Sequence, residues 1–313
     1  MARSLNLDPA ELRKIADTPV LVSALGVGTA SFGDVFGATN VAELFELAGD
    51  AVRAGVSYFD TSPSYGFGLA ERRLGAALEF LDHPKVTLST KAGRTLNETE
   101  TAAHFDFSRD AILREFDRSL SRLTVDRVDI LYLHDPDDHE RAVYESAWPT
   151  LLELKAEGRV GAIGFGMNQW QLPTKFVDTL DVDVVLLAGR YTLLDVSAAA
   201  TFLPLCQGRN VSVVLGGVFN SGVLVNPKDD AWYDYRPASY DLLERARAMR
   251  DTAAHHQVTL SHLALRFCAA HPAVTSTIVG VSSVRTFNAN LSAFGHDISS
   301  YLWRDLEIRG LLR

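Results

Sequence analysis

Three side chains able to move a proton stand where short apolar runs of this sequence end, and a fourth follows one of them closely. Asp60 closes Tyr58-Phe59-Asp60, Lys91 closes Leu88-Ser89-Thr90-Lys91, and His134 closes Leu131-Tyr132-Leu133-His134. Tyr65 follows five residues after Asp60, in the turn-rich stretch Thr61-Ser62-Pro63-Ser64-Tyr65-Gly66. A phenol with an ordinary pKa of about 10 is a poor acid or base at neutral pH. A lysine cation beside it favours the phenolate and lowers that value, and an aspartate keeps the lysine charged and fixed. A histidine nitrogen donates to the reacting oxygen or orients it. Together they form a proton-transfer device aimed at a carbonyl or alcohol oxygen. The set contains no activated nucleophile and no metal cage, so the other half of the chemistry needs a hydride carrier. Singly, each residue has an ordinary explanation: a turn or cap for Asp60, a solvated Lys91, a satisfied core His134. Their coincidence on three successive strand ends favours chemistry. A competing reading makes Lys91 a Schiff-base lysine of an aldolase, but it leaves Tyr65 without a task.

The elements that must bring these groups together are legible in the pattern. Strands are expected at Ala24–Val27, Tyr58–Phe59, Val86–Thr90, Ile130–Leu133, Ala162–Phe165, Val184–Leu187, Val211–Leu215 and Thr277–Val279. Helical periodicity marks Val41–Ala54, Asp110–Arg122 behind a Ser108 cap, Arg141–Gly158, Tyr240–His256 and Leu260–His271, the last ended by Pro272. Strand and helix in alternation imply parallel neighbours joined by right-handed crossovers. Eight units predict a single-domain (β/α)8 barrel over residues 1–313; an open doubly wound sheet would have six strands. The inserted loop Asn226–Ser239 and an extra helix fall between strands 7 and 8, and the tail after Phe294 is expected to cover part of the barrel. The C-terminal strand ends of such a barrel form its active face, with neighbouring strands roughly 5 Å apart. Asp60, Lys91 and His134 should therefore converge, with Tyr65 folded over them.

Bulk properties narrow the partners. The chain has 313 residues, is 47% hydrophobic and carries a formal net charge of −9. An acidic balance argues against nucleic acid and anionic membranes and is compatible with a small-molecule substrate. Cys206 and Cys268 form no CxxC pair and are expected as core hydrophobes, not as a disulfide framework. The N-terminal stretch has no apolar leader core, and the run Val20–Val27 is too short to span a bilayer. A cytoplasmic protein, monomeric or a small homo-oligomer, is the expectation. Gly26-Val27-Gly28-Thr29-Ala30-Ser31 lacks the third glycine of a Rossmann fingerprint. The cluster from His134 to Glu140 reads as a turn with a helix cap, and no metal site is expected. His255, His256, His262 and His271 are assigned surface or capping roles. Phe32, Phe36, Phe67, Trp170, Trp232 and Tyr233 fall on loops of the active face, and Phe32, Phe67 and Trp232 are expected to line a substrate pocket.

With these segments in place, the sequence resembles the aldo-keto reductase family over nearly its whole length, from Gly26-Val27-Gly28-Thr29 to Asn290-Leu291. Phe59-Asp60-Thr61-Ser62-Pro63-Ser64-Tyr65-Gly66 is similar to that family's aspartate–tyrosine signature, and Ser89-Thr90-Lys91 and Leu131-Tyr132-Leu133-His134-Asp135-Pro136-Asp137 to its lysine and histidine segments. The resemblance implies an NAD(P)-dependent oxidoreductase with Tyr65 as general acid/base in a tetrad with Asp60, Lys91 and His134. It implies cofactor contacts from Gly28, Thr29, Asp60, Asn168, Gly217, Phe219, Ser221, Gly222, Gly280, Ser282, Thr286 and Asn290. In the segment Gly164-Phe165-Gly166-Met167-Asn168, Asn168 matches the family's Gly-x-Ser-Asn and Met167 replaces the serine. The glutamine usual at the end of strand 6 is missing from Ala188-Gly189-Arg190, and Gly216 stands where a stacking tyrosine is common. Gly280 and Thr286 occupy positions where NADP-preferring members carry cations, and Arg285 is one residue off, about 100° round a helix. NAD is therefore the expected cofactor, with NADP as second. Ala-Gly-Arg-Tyr-Thr-Leu-Leu-Asp and Gly-Gly-Val-Phe-Asn-Ser-Gly-Val-Leu look most like the aldose 1-dehydrogenase branch, which includes L-fucose (D-threo-aldose) and pyridoxal dehydrogenases. That likeness implies oxidation of an aldose at C1 to a lactone; pyridoxal oxidation, or a cofactor-sensing subunit without turnover, stand as alternatives.

Overall fold

The structure, a computed structural model, describes residues 7–234 and 236–312. The first six residues of the N-terminal stretch, and Tyr235 of the inserted loop, lie outside the described residues. Eight parallel strands close a barrel: β1 Leu25–Gly28, β2 Tyr58–Asp60, β3 Thr87–Ala92, β4 Val128–His134, β5 Val160–Met167, β6 Val184–Ala188, β7 Ser212–Gly216 and β8 Val274–Gly280. Each pairs with the next, and β8 pairs back onto β1. All eight expected runs are strands, with ends shifted by a few residues as such ends are.

Alternation along the strands divides the apolar residues into two layers. Tyr58, Ile130, Tyr132, Ala162, Val184, Leu186, Val214 and Ile278 fill the interior. Phe59, Leu88, Leu131, Phe165, Val185 and Val213 face outward into the shell of helices. The N-terminal end is closed by a hairpin, Leu12–Lys14 with Leu21–Ser23, whose Ile15, Val20 and Val22 join the interior layer. The sequence pattern gave no sign of this plug, because two three-residue strands carry no usable periodicity.

The helices are α1 Val41–Arg53, α2 Leu69–Phe80, α3 Arg109–Leu123, α4 Trp148–Ala156, α5 Gln171–Thr179, α6 Phe202–Gly208, α7 Tyr240–His255, α8 Leu260–Ala269, α9 Val284–Gly295 and α10 Ser300–Ile308. Ser108 caps α3 by accepting from Ala111 N–H, as its position suggested. The helix expected over Arg141–Gly158 is interrupted: Glu140–Ala142 runs into a wide π turn, Val143–Ala147, before α4. Pro149 has no N–H for the carbonyl four residues back, and its ring crowds that carbonyl, so the turn opens. The supernumerary helix α7 and the tail helix α10 share a separate apolar cluster with α8, including Met249, Leu263, Leu302 and Trp303.

A buried charge cluster lies on the outer side of β3. Arg122 donates through Nε to Glu71 at 2.6 Å, through Nη1 to Glu100 at 2.6 Å and through Nη2 to Glu115 at 2.5 Å. Thr90 donates to Glu71 at 2.6 Å, and Leu96 N–H to Glu115 at 2.8 Å. Burial works against the guanidinium, but Glu71 and Glu115 hold its pKa above the usual arginine range. The cluster ties α2 and α3 to β3 and to the strand segment Arg94–Leu96.

Candidate active site

The register aligns Asp60 with Ser89, Lys91 with Tyr132 and His134 with Gly166, so the three titratable groups emerge at one end of adjacent strands. All three are buried, at 4%, 3% and 8% exposure. Lys91 Nζ lies 2.7 Å from Asp60 Oδ2 and donates to the carbonyl of Thr61 at 2.7 Å. The same ammonium sits 5.0 Å from the ring centroid of Tyr65. The Tyr65 and His134 rings meet edge to face, with centroids 6.3 Å apart and an interplanar angle of 89°. The structure thus brings the acid, ammonium, imidazole and phenol together.

The loop carrying Tyr65 is held by a close backbone approach. Gly66 has φ +60°, and a Cβ there would come within 2.2 Å of the carbonyl oxygen of Gly33; a Cβ on Gly33 would meet the Tyr65 carbonyl at 2.5 Å. Glycine at both positions lets the loop after β1 press on Tyr65 and fix its direction.

Electrostatics then set the protonation states. Burial opposes the Lys91 ammonium, but Asp60 and Tyr65 more than offset it, so its pKa lies above the lysine norm and it is charged. Burial and the Lys91 and Arg94 charges hold His134 well below its usual pKa, so the imidazole is neutral. For Tyr65, burial raises the pKa and outweighs the lowering by Lys91. This corrects the expectation of a lowered phenol pKa: in the protein alone burial keeps Tyr65 a phenol.

A layer of residues missed by the sequence reading supports the four. Ser89 donates to Asp60 Oδ1 at 2.7 Å, the Tyr58 hydroxyl lies 3.1 Å from Ser89 Oγ, and the Tyr132 hydroxyl lies 2.9 Å from that of Tyr58. Each sits two residues before Asp60, Lys91 or His134, which is the strand period. That offset is the signal that would have found them. Ser62 Oγ lies 3.2 Å from His134 Nδ1, leaving Nε2 toward Asp135 Oδ2 at 3.7 Å.

The remaining expected positions divide. Met167 points into the outer core and is buried at 1%, so it cannot stand in for a polar cofactor ligand; Asn168 and the half-buried Gln169, which sequence reading passed over, are the polar pair at the end of β5. Phe32 is fully buried in the core and presents no surface to a substrate, a correction that follows from the tight turn Ala30–Gly33 turning its ring inward. Phe67 and Trp232 are exposed at 43% and 55%. The Thr29 hydroxyl and N–H both donate to the Asp60 carbonyl, at 3.0 and 2.9 Å.

A dinucleotide fits several features of this face. Gly217, Ser221 and Gly222 have positive φ, forming a turn after β7 with backbone suited to a pyrophosphate. Asn290 Nδ2 and Asn220 Oδ1 are buried and have no hydrogen-bond partner among the described residues. Gly280 and Ser282 are exposed, and Thr286 lies in the first turn of α9, where Ser283 caps the helix. Arg190, at the strand-6 position without the glutamine, donates from Nε to the Asn168 carbonyl at 2.7 Å and pairs through Nη2 with both oxygens of Asp234 at 2.9 and 3.0 Å. Among the described residues no group of three or more His, Cys, Asp or Glu side chains is arranged to hold a metal, and no helix is long and apolar enough to cross a membrane.

Comparison with known proteins gives the chain its family and its fold. Residues 24–308 match the family model of the aldo/keto reductases. The chain is 35% identical to a D-threo-aldose 1-dehydrogenase of Pseudomonas sp, over 91% of this chain and 93% of that one. It is 33% identical to the pyridoxal 4-dehydrogenase of Microbacterium luteolum, over 98% of this chain and all of that one. Among solved structures, the aldo-keto reductase AKR11C1 from Bacillus halodurans superimposes with a TM-score of 0.80 at 24% identity, covering 97% of this chain and 96% of that one.

Proposed function

The chain belongs to the aldo/keto reductase family, and from that premise we propose that it is a nicotinamide-dependent dehydrogenase of cyclic hemiacetals, oxidising an aldose such as L-fucose at C1 to the lactone. One observation carries the reading: the Tyr65 phenol is packed between the Asp60-paired Lys91 ammonium and the edge of a neutral His134.

In this reading Tyr65 exchanges the proton of the C1 hydroxyl. For this oxidation the deprotonated Tyr65 takes the proton and becomes the phenol; Lys91 stabilises the phenolate required beforehand, and Asp60, itself held by Ser89, keeps the ammonium in place. Neutral His134 orients the reacting oxygen, with Ser62 steadying its ring. The bound nicotinamide supplies the hydride acceptor. Asn168 and Gln169 are assigned to its amide, Gly217, Phe219, Ser221 and Gly222 to the pyrophosphate, and Gly280, Ser282, Thr286 and Asn290 to the adenosine end. NAD is the preferred form. The Thr286 hydroxyl is tied to Ser283 Oγ at 2.8 Å and Gly280 offers no side chain, so neither position gives a 2′-phosphate a charge-assisted partner.

The relatives named for an aldose and for pyridoxal share one substrate chemistry: both molecules carry an aldehyde and a hydroxyl able to close a five- or six-membered hemiacetal ring. Pyridoxal is the second reading, favoured by a relative matched along its full length. Initial rates with NAD⁺ and NADP⁺ on L-fucose, other aldoses and pyridoxal, read by absorbance of the reduced nicotinamide, test the proposal. Turnover of aldoses, faster with NAD⁺, is expected. Cofactor binding without turnover of any of them, unchanged by Tyr65→Phe, would instead mark a cofactor-sensing protein.

A further inference from the structure

The buried carboxylates among the described residues each have a cation: Asp60 has Lys91, and Glu71 and Glu115 share Arg122. The half-buried Asp135 has none. It follows His134 directly, and its side chain is 17% exposed. Its side-chain contacts are long: Asn168 Nδ2 at 3.4 Å from each oxygen, and His134 Nε2 at 3.7 Å from Oδ2. The Asn168 backbone also lies on it. No lysine or arginine forms an ion pair with it among the described residues, and burial, with Asp137, pushes its pKa up to about 6. Its placement is nonetheless imposed. The backbone holds φ 45°, a left-handed conformation, and its N–H donates to Gly166 O at 3.0 Å, so the carboxylate is fixed beside His134. Strain and an under-satisfied charge kept together at a mouth are what a ligand-binding position shows.

We infer that Asp135 is the substrate-specificity residue of this site, accepting hydrogen bonds from ring hydroxyls of the sugar next to the carbon being oxidised. The inference rests on the proposed oxidation of cyclic hemiacetals. If His134 touches the C1 oxygen, the carboxylate beside it meets the neighbouring hydroxyl first. Two oxygens of one carboxylate accept from two adjacent hydroxyls, and hydroxyls satisfy them without adding charge.

The test compares L-fucose with 2-hydroxytetrahydropyran, a cyclic hemiacetal that has the reacting hydroxyl and no other. Asp135→Asn and Asp135→Gly both tolerate the left-handed backbone, so two variants guard against a folding artefact. The ratio of kcat/KM for L-fucose to that for 2-hydroxytetrahydropyran should collapse by about 100-fold in Asp135→Gly, the loss expected for hydrogen bonds to a charged group. Affinity for the reduced nicotinamide, read by fluorescence quenching, should stay close to that of the unaltered protein in Asp135→Asn, whose amide oxygen still accepts from Asn168 Nδ2. Equal losses on both substrates, a loss of nicotinamide affinity in Asp135→Asn, or an unchanged ratio in Asp135→Gly would each overturn the inference. Failure of the hemiacetal reading itself looks different: the unaltered protein then turns over neither compound, and this inference falls with it.

Discussion

Strand β3 separates two buried charge clusters, and they are built to opposite rules. Thr90 faces outward to Glu71, and the next residue, Lys91, faces inward to Asp60. On the outer side the Arg122 guanidinium donates from all three nitrogens, and the glutamates opposite accept further bonds from Thr90, Thr95 and Leu96. On the inner side Asp60 and Lys91 are equally well paired, but the groups around them are not. Tyr65 is a phenol pushed above its ordinary pKa by burial, His134 is neutral beside a cation, and Asp135 is a carboxylate without an ion pair. A saturated cluster fixes one structure. An unsaturated one stores interactions that a substrate can complete.

The sharpest way to break this contrast is Tyr65→Phe. It should cost about 10²- to 10⁴-fold in kcat, the range of general acid–base catalysis, with thermal stability unchanged; steady-state kinetics and a melting curve decide. Arg122→Met should do the reverse. It leaves Glu71 and Glu115 buried without their cation and should cost about 3–5 kcal/mol in denaturant unfolding, while activity per folded molecule is kept.

Asp135→Asn should stabilise the protein. The native carboxyl binds its proton more tightly than an unfolded one, at about 6 against 3.8. The charged form therefore costs stability above that window and nothing below it. Removing the charge should contribute at most about 3 kcal/mol near pH 7, and the gain should shrink as the pH falls toward 4, as melting curves across pH would record. The smallest effect is on pH profiles. Because the Tyr65 pKa is raised, reduction of an aldehyde should run flat through neutrality, whereas kcat/KM for oxidation should climb toward alkaline pH. A falling oxidation limb over that range would show that another group takes the proton.

Much of this was legible in the residues. The eight apolar runs and the three titratable strand ends were there to be read, because strand periodicity and barrel topology leave few ways to place them. The supporting Tyr58, Ser89 and Tyr132 were equally present, two positions upstream, but hydroxyls inside strands look like ordinary β-formers until their partners are known. Helix α2 escaped notice because its inward stripe mixes Leu74 and Leu78 with small residues and the buried Glu71, which weakens its apolar periodicity. The inward turn of Phe32, the outward turn of Met167 and the plugging hairpin rest on local rotations that one residue of register reverses.

The sequence alone determined the barrel, its order of strands and the identity of the groups that meet at its mouth, because alternation and spacing act along the chain. Only the tertiary structure decided their charge states. Burial raised Tyr65 against the pull of Lys91, silenced His134 and left Asp135 under-satisfied, and desolvation depends on everything packed around a group, not on its neighbours in sequence.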